Sequence, residues 1–222
     1  MTSLQFSVLT VAPESFSVAP NLIARVRIGE TTGATVHALA LRCQVRIEPR
    51  RRRYSDAEEA GLLDMFGPRE RWGSTLATFP WLHTTATVPG FTGECVTELP
   101  MACTYDFEVA ASKYLHALET DADGTVPLSF LFSGTVFTKG NNNFGGGRGF
   151  GVEQVPWDRE AQFDMPVAVW RDLVRQNFPS SGWVRLEHDT LAALTRFKAA
   201  RGLTGIDQAV TELLAGAGEV AT

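Results

Sequence analysis

Thr104 to Phe137 reads TYDFEVAASKYLHALETDADGTVPLSFLFSGTVF, and its changes of period decide the fold class. Tyr105, Phe107 and Val109 alternate with Thr104, Asp106 and Glu108, the period-two pattern of a half-buried strand. Ala111, Tyr114, Leu115 and Leu118 then fall at helical spacing, and Asp121 to Gly124 supplies a turn. Leu128 to Phe137 is apolar on both alternating faces and rich in β-preferring residues, which predicts a central strand covered on both sides.

Upstream the chain is built of strands. Leu4 to Val11 and Leu22 to Ile28 alternate, with Pro13 and Pro20 between them. Val36 to Glu48 alternates most regularly. Leu41, Cys43, Val45 and Ile47 take one face, and Arg42, Gln44, Arg46 and Glu48 take the other, so Cys43 is expected in the core as a small hydrophobe. Ser55 with Glu58 three residues on makes a capping box for a short helix that stops at Gly67-Pro68. Between Arg69 and Pro100 the prolines at 80, 89 and 100 suggest short, broken strands.

Downstream, Gly140 to Gly151 is a glycine-rich loop without the spacing of a phosphate-binding motif, and Val152 to Met165 reads as an extended connector. Pro166 opens a helix with Val169, Trp170, Leu173 and Val174 on one face. Trp183 to Leu186 reads as a strand. Asp189 caps a helix that Gly202 ends, and Thr204 with Asp207 caps a second helix carrying Ile206, Val210, Leu213 and Leu214. Runs of strands followed by runs of helices give an α+β class. The expected architecture is a mainly antiparallel β-sandwich over 1–151, then a connector and helical tail over 152–222.

Composition narrows the function. A net charge of −5 over 222 residues argues against general nucleic-acid binding. No apolar run is long enough to span a bilayer, and the alternating N-terminus is unlike a signal peptide, so a cytoplasmic protein is expected. Three cysteines outside any CxxC pair fit reduced thiols.

No cofactor motif, metal motif or catalytic triad is present, so no catalytic residue, cofactor or metal ligand is assigned. Two looser groupings are present: Cys95, Cys103 and His83 as a metal site, and Asp106 with Glu108 as a carboxylate pair about 7 Å apart by strand rise. Neither has a second signal. The residues assigned to a protein partner are Arg50, Arg51, Arg52 and Arg53, which offer guanidinium groups to an acidic surface, with Trp72 and Trp81 as aromatic anchors.

Two resemblances add to this reading. The strand, helix, helix order over 182–215 resembles the ribbon-helix-helix module of small dimeric DNA-binding repressors. That resemblance implies a homodimer through the tail and, as an alternative function, a DNA-binding regulator. Against DNA stand four basic residues facing five acidic ones from Trp183 onward, a net of −1.

The segments LRCQVRIEPRRRRYSDAEEAGLLDMFG, RWGSTL, VPGFTG, CTYDFEVAASKYLHAL, PLSFLFSGTVF and VPWDREAQFDMPVAVW resemble an uncharacterised actinobacterial family whose members are encoded beside nickel-iron uptake hydrogenase genes. The resemblance implies an accessory protein that binds a hydrogenase subunit or maturation factor.

Overall fold

The computed structural model describes residues 2–104, 106, 109–118, 124–139, 150–179, 181–182 and 184–218. The chain divides into two units, Met1–Trp183 and Val184–Thr222.

The first unit opens with β1 (Leu4–Pro13), β2 (Asn21–Glu30) and β3 (Thr35–Ile47). Three short helices follow, α1 (Asp56–Gly61), α2 (Leu63–Phe66) and α3 (Trp72–Thr75). Then come β4 (Phe79–Thr92), β5 (Glu94–Ala102) and α4 (Ala110–Ala117). The unit finishes with β6 (Thr125–Lys139), β7 (Phe150–Gln154), β8 (Glu160–Pro166) and α5 (Val167–Asn177). One antiparallel sheet has the order β1-β2-β5; the other has β4-β3-β6-β7, with β8 also paired to β6. The fold is thus α+β, a β-sandwich with helices added.

Alternation places the core. On β3, Leu41, Cys43, Val45 and Ile47 are buried, and on β6 so are Leu128, Phe130, Phe132 and Val136. Phe6 of β1 stacks on Phe132 of β6, ring centroids 4.3 Å apart, joining the two sheets. The chain passes from one sheet to the other at Gly93, whose φ of +74° only glycine adopts without strain. Gly134 marks a close approach inside β6, since a Cβ there would lie 2.2 Å from the Ala40 carbonyl oxygen.

Three expectations change. Prolines 80 and 89 lie within one continuous β4, and Pro100 lies within β5. Both strands end their sheet's hydrogen-bonded order, so a missing N–H on the outer side breaks no ladder. The expected connector contains β7 and β8, both paired to β6, so the sandwich strands run past 151 to Pro166. β6 is central in pairing and covered on both faces only over its first half: Val126 to Phe130 are all buried, whereas farther along Ser133 is exposed and Leu131 and Phe137 are half-buried. Tyr105, Phe107 and Glu108 of the expected strand, most of the 121–124 turn and residues 140–149 of the glycine-rich loop lie outside the described residues.

Register puts the helices of this unit at one end of the sandwich. β3 ends at Ile47 opposite Phe79 and Leu128, and the chain between β3 and β4 supplies α1, α2 and α3 there. α4 enters β6, and α5 leaves β8, at the same end. At the other end the β2–β3 turn is built around the buried Glu30 carboxylate. It accepts Thr32 Oγ1 at 2.6 Å, the Ser3 amide at 3.0 Å and the Ala34 amide at 2.9 Å. These bonds, the Thr32 hydroxyl first, hold its pKa down at about 2.

The second unit holds α6 (His188–Ala200) and α7 (Ile206–Gly216). Gly202, at φ +65°, turns the chain between them. The Gln208 side-chain oxygen accepts the Thr204 amide at 3.0 Å, so Gln208 and not Asp207 organises the start of α7. Likewise α6 starts at His188, with no side-chain cap from Asp189. Residues 184–187 join no strand among the described residues, and Trp183 lies outside them.

Candidate functional site

The arginine run sits where the chain leaves β3. Arg50 donates from Nε to the Leu76 carbonyl at 2.6 Å and from Nη2 to the Gly73 carbonyl at 2.9 Å, pinning the end of α3. Arg51 pairs with Asp164 of β8 at 3.2 Å, with both side chains partly in solvent. Arg52 is inside. Its Nη2 donates to Glu58 Oε1 at 2.6 Å, with the two side chains 7% and 1% exposed, and its guanidinium lies 5.0 Å from the Tyr54 ring centroid. Arg53 alone of the four is exposed with no side-chain partner among the described residues.

Glu58 links this pair to the expected capping box. Its other oxygen accepts the Ser55 amide at 2.9 Å, while its own amide donates to Ser55 Oγ at 3.3 Å. Below it, Tyr54 donates its hydroxyl hydrogen to the Pro49 carbonyl at 2.8 Å and accepts one from Tyr114 of α4 at 2.7 Å. Burial pushes Tyr54 up to about 12 and Tyr114 further in the same direction, so both phenols stay protonated across the physiological range. Trp72 is buried, donates Nε1–H to the Gly67 carbonyl at 2.8 Å and meets Tyr54 edge-on at 5.1 Å. Trp81 is half-buried and meets Trp170 of α5 edge-on at 6.4 Å.

The structure therefore brings together Arg52, Tyr54 and Trp72 as internal cement, while Arg50 is exposed but its guanidinium is taken up by the Gly73 and Leu76 carbonyls. Arg51 and Arg53 are the members of the assigned set that present charge outward. Cys43 is buried, and desolvation pushes its thiol up to about 12. Burial raises Cys95 and Cys103 as well, the latter to about 12. His83 faces the outer side of its sheet and shares a hydrogen bond with Gln44 at 3.0 Å. Among the described residues no three His, Cys, Asp or Glu side chains converge as metal ligands. Glu108 of the carboxylate pair lies outside them.

The other candidate site is in the second unit. α6 and α7 face each other along Leu194 and Ala209, which are buried. Beside this seam runs an apolar groove of about 560 Å³, with Val184 and Leu186 on one side, Leu194 and Phe197 from α6, and Val210 and Leu213 from α7. Val184 is 68% exposed, Leu213 46% and Val210 39%. Arg201 forms an ion pair with Glu212 and lies 5.3 Å from the Phe197 ring centroid, closing one rim with charge. Spacing points to Leu191, Leu194 and Phe197 on α6 as inward, with Ile206, Val210, Leu213 and Leu214 on α7, but of these only Leu194 is buried. What spacing does not show is that Val184 and Leu186 extend the same apolar face, or that it stays open.

Two sheets and an end plug of helices define a β-sandwich, and the second unit carries an open apolar groove. The chain belongs to the family of unknown function DUF6084, whose model matches residues 1–222. No curated protein matches it. Among solved structures it is similar to the CARDB domain of the PF1109 protein from Pyrococcus furiosus. That match has 12% identity over 74% of this chain and 87% of that one, with a TM-score of 0.28. A β-glucosidase from Paenibacillus barengoltzii matches at 11% identity over 70% of this chain and 19% of the enzyme, TM-score 0.26. β-Glucosidase 3B from Thermotoga neapolitana matches at 15% identity over 73% of this chain and 17% of the enzyme, TM-score 0.22. Likenesses this distant transfer no activity to this chain.

Proposed function

We propose that this protein is a non-catalytic accessory protein that works by binding other polypeptides. The observation that carries the reading is the groove between 184–186, α6 and α7, which keeps Val184, Val210 and Leu213 in solvent. A contiguous apolar surface with a charged rim is the ordinary mark of protein docking. Leu194 and Ala209 are also too little buried surface to offset the ordering of a helix pair by themselves.

Arg51 and Arg53 of the first unit offer a second, charged contact to an acidic partner. The resemblance drawn from sequence makes a hydrogenase subunit or maturation factor the first candidate for that contact. A cytoplasmic setting fits three cysteines without disulfides. No helix among the described residues is long and apolar enough to cross a membrane.

Affinity purification from the native cell under gentle lysis, followed by mass spectrometry, tests the reading. Wild-type chain is expected to carry protein partners, and Val210→Asp/Leu213→Asp is expected to lose one without loss of the sandwich. A profile and an oligomeric state both unchanged by that double variant would contradict docking at the groove. A DNA fragment retained by wild type and lost on Arg185→Ala would put a regulator in its place.

A further inference from the structure

Away from the groove, but resting on the reading of the chain as a protein that binds polypeptides, we propose that the solvent face of the β4-β3-β6-β7 sheet docks an acidic polypeptide. Register lays that face out in rows. Pro89, Ala38, Phe137 and Val152 stand opposite one another across the four strands, and Val152 is 60% exposed. Farther along β3, Arg42 lies between Thr85 and Ser133, all three exposed. That row ends at the turn between β7 and β8. On either side of Ser133, Val155 donates its amide to the Gly134 carbonyl at 2.9 Å and Phe132 donates its amide to the Arg159 carbonyl at 2.8 Å. The turn carries Trp157, which is 91% exposed. An apolar row, a guanidinium and an indole on one sheet are the kinds of anchor that protein interfaces favour.

Charge selects the partner. The chain has a net charge of −5, yet 38–44, 83–92, 131–138 and 151–154 hold one acid, Glu153. Alternation with Val152 and Gln154 puts Glu153 on the other face of β7, where it accepts the Thr2 amide at 2.6 Å. Acids border the area at Asp158, paired with Arg159 at 3.8 Å, and at Glu160 of β8. Arg42 has no side-chain partner among the described residues. An unpaired guanidinium in an area free of acids suits a carboxylate. Such a face is not complementary to itself, which excludes a two-fold pair of copies through it. A pleated face offers no cleft for a small molecule, and one guanidinium is too few for a phosphate backbone.

The test is photo-crosslinking of the full-length chain in the native cell from Val152→p-benzoylphenylalanine, with the adduct mapped by mass spectrometry. Val96→p-benzoylphenylalanine, on the other sheet, is the control. The expected adduct is a polypeptide joined through a segment rich in Asp and Glu, and Arg42→Glu or Trp157→Ala should each reduce it about tenfold. Both variants should keep the wild-type urea midpoint, since neither side chain is buried. No adduct beyond those of the control, an adduct with nucleic acid or a second copy of this chain, a joined segment without acidic excess, or an adduct indifferent to both variants would each overturn the proposal. If the adduct is absent and Val210→Asp/Leu213→Asp still loses a co-purifying protein, the sheet face falls and the reading of the chain as a binding protein stands. If neither experiment finds a partner, both fall.

Discussion

The helices that plug the sandwich and the helices of the second unit use their apolar faces in opposite ways. In the plug, Tyr54, Phe66, Trp72 and Tyr114 pack ring to ring, and the polar atoms beneath them are tied to Pro49, Gly67 and Glu58. In α6 and α7 only Leu194 and Ala209 are buried among the described residues, while Val210, Leu213 and Leu214 stay exposed. A surface already filled from within the chain has nothing left to bind with. Arg52 and Trp72 therefore mark a filled interior, and Val210 and Leu213 mark an apolar face that stays open.

The largest effect expected from breaking this contrast is at Arg52. Arg52→Ala leaves the Glu58 carboxylate buried without its partner and should cost about 3–5 kcal/mol in urea unfolding. Tyr54→Phe removes the hydroxyl that joins Pro49 to Tyr114 and should cost about 1–3 kcal/mol by the same measurement. Ser55→Ala, which removes one half of the capping box, should cost about 1 kcal/mol. Arg53→Ser should fall within about 0.5 kcal/mol of wild type, because that side chain is exposed and has no partner among the described residues. A loss at Arg53 as large as that at Arg52 would erase the distinction between cement and surface.

Acid sharpens the comparison from the far end of the sandwich. Glu30 has a depressed folded pKa, so between about 2 and its unfolded value of about 4.3 the folded chain holds fewer protons than the unfolded one. Its contribution is present above the unfolded value and is lost as pH falls through about 2. The gap in urea midpoint between wild type and Glu30→Gln should accordingly close across that window. A gap constant down to pH 2 would mean that the carboxylate is not charged in the turn.

Much of this was legible in the sequence. The alternation of β3 gave the inward face of its sheet, and Ser55 with Glu58 gave the start of α1. The prolines of β4 misled because proline forbids a central strand but not an edge, and the sheet order that makes β4 an edge is long-range. β7 and β8 were missed because FGVEQ and EAQFDMP carry too few β-branched residues to stand out beside β6. The arginine run showed four charges but not their acceptors, since the Gly73 and Leu76 carbonyls come from a turn folded back over 20 residues later. The groove was half legible: periodicity finds an apolar face, but only the fold shows whether anything covers it.

Native-state hydrogen exchange on the full-length chain at several concentrations tests the central claim most directly. The account predicts that amides of α4 and α1 are strongly protected at every concentration, whereas those of α6 and α7 exchange readily in the isolated chain. Full protection of α6 and α7 at the lowest concentration would contradict it, because the groove would then already be closed within a single chain.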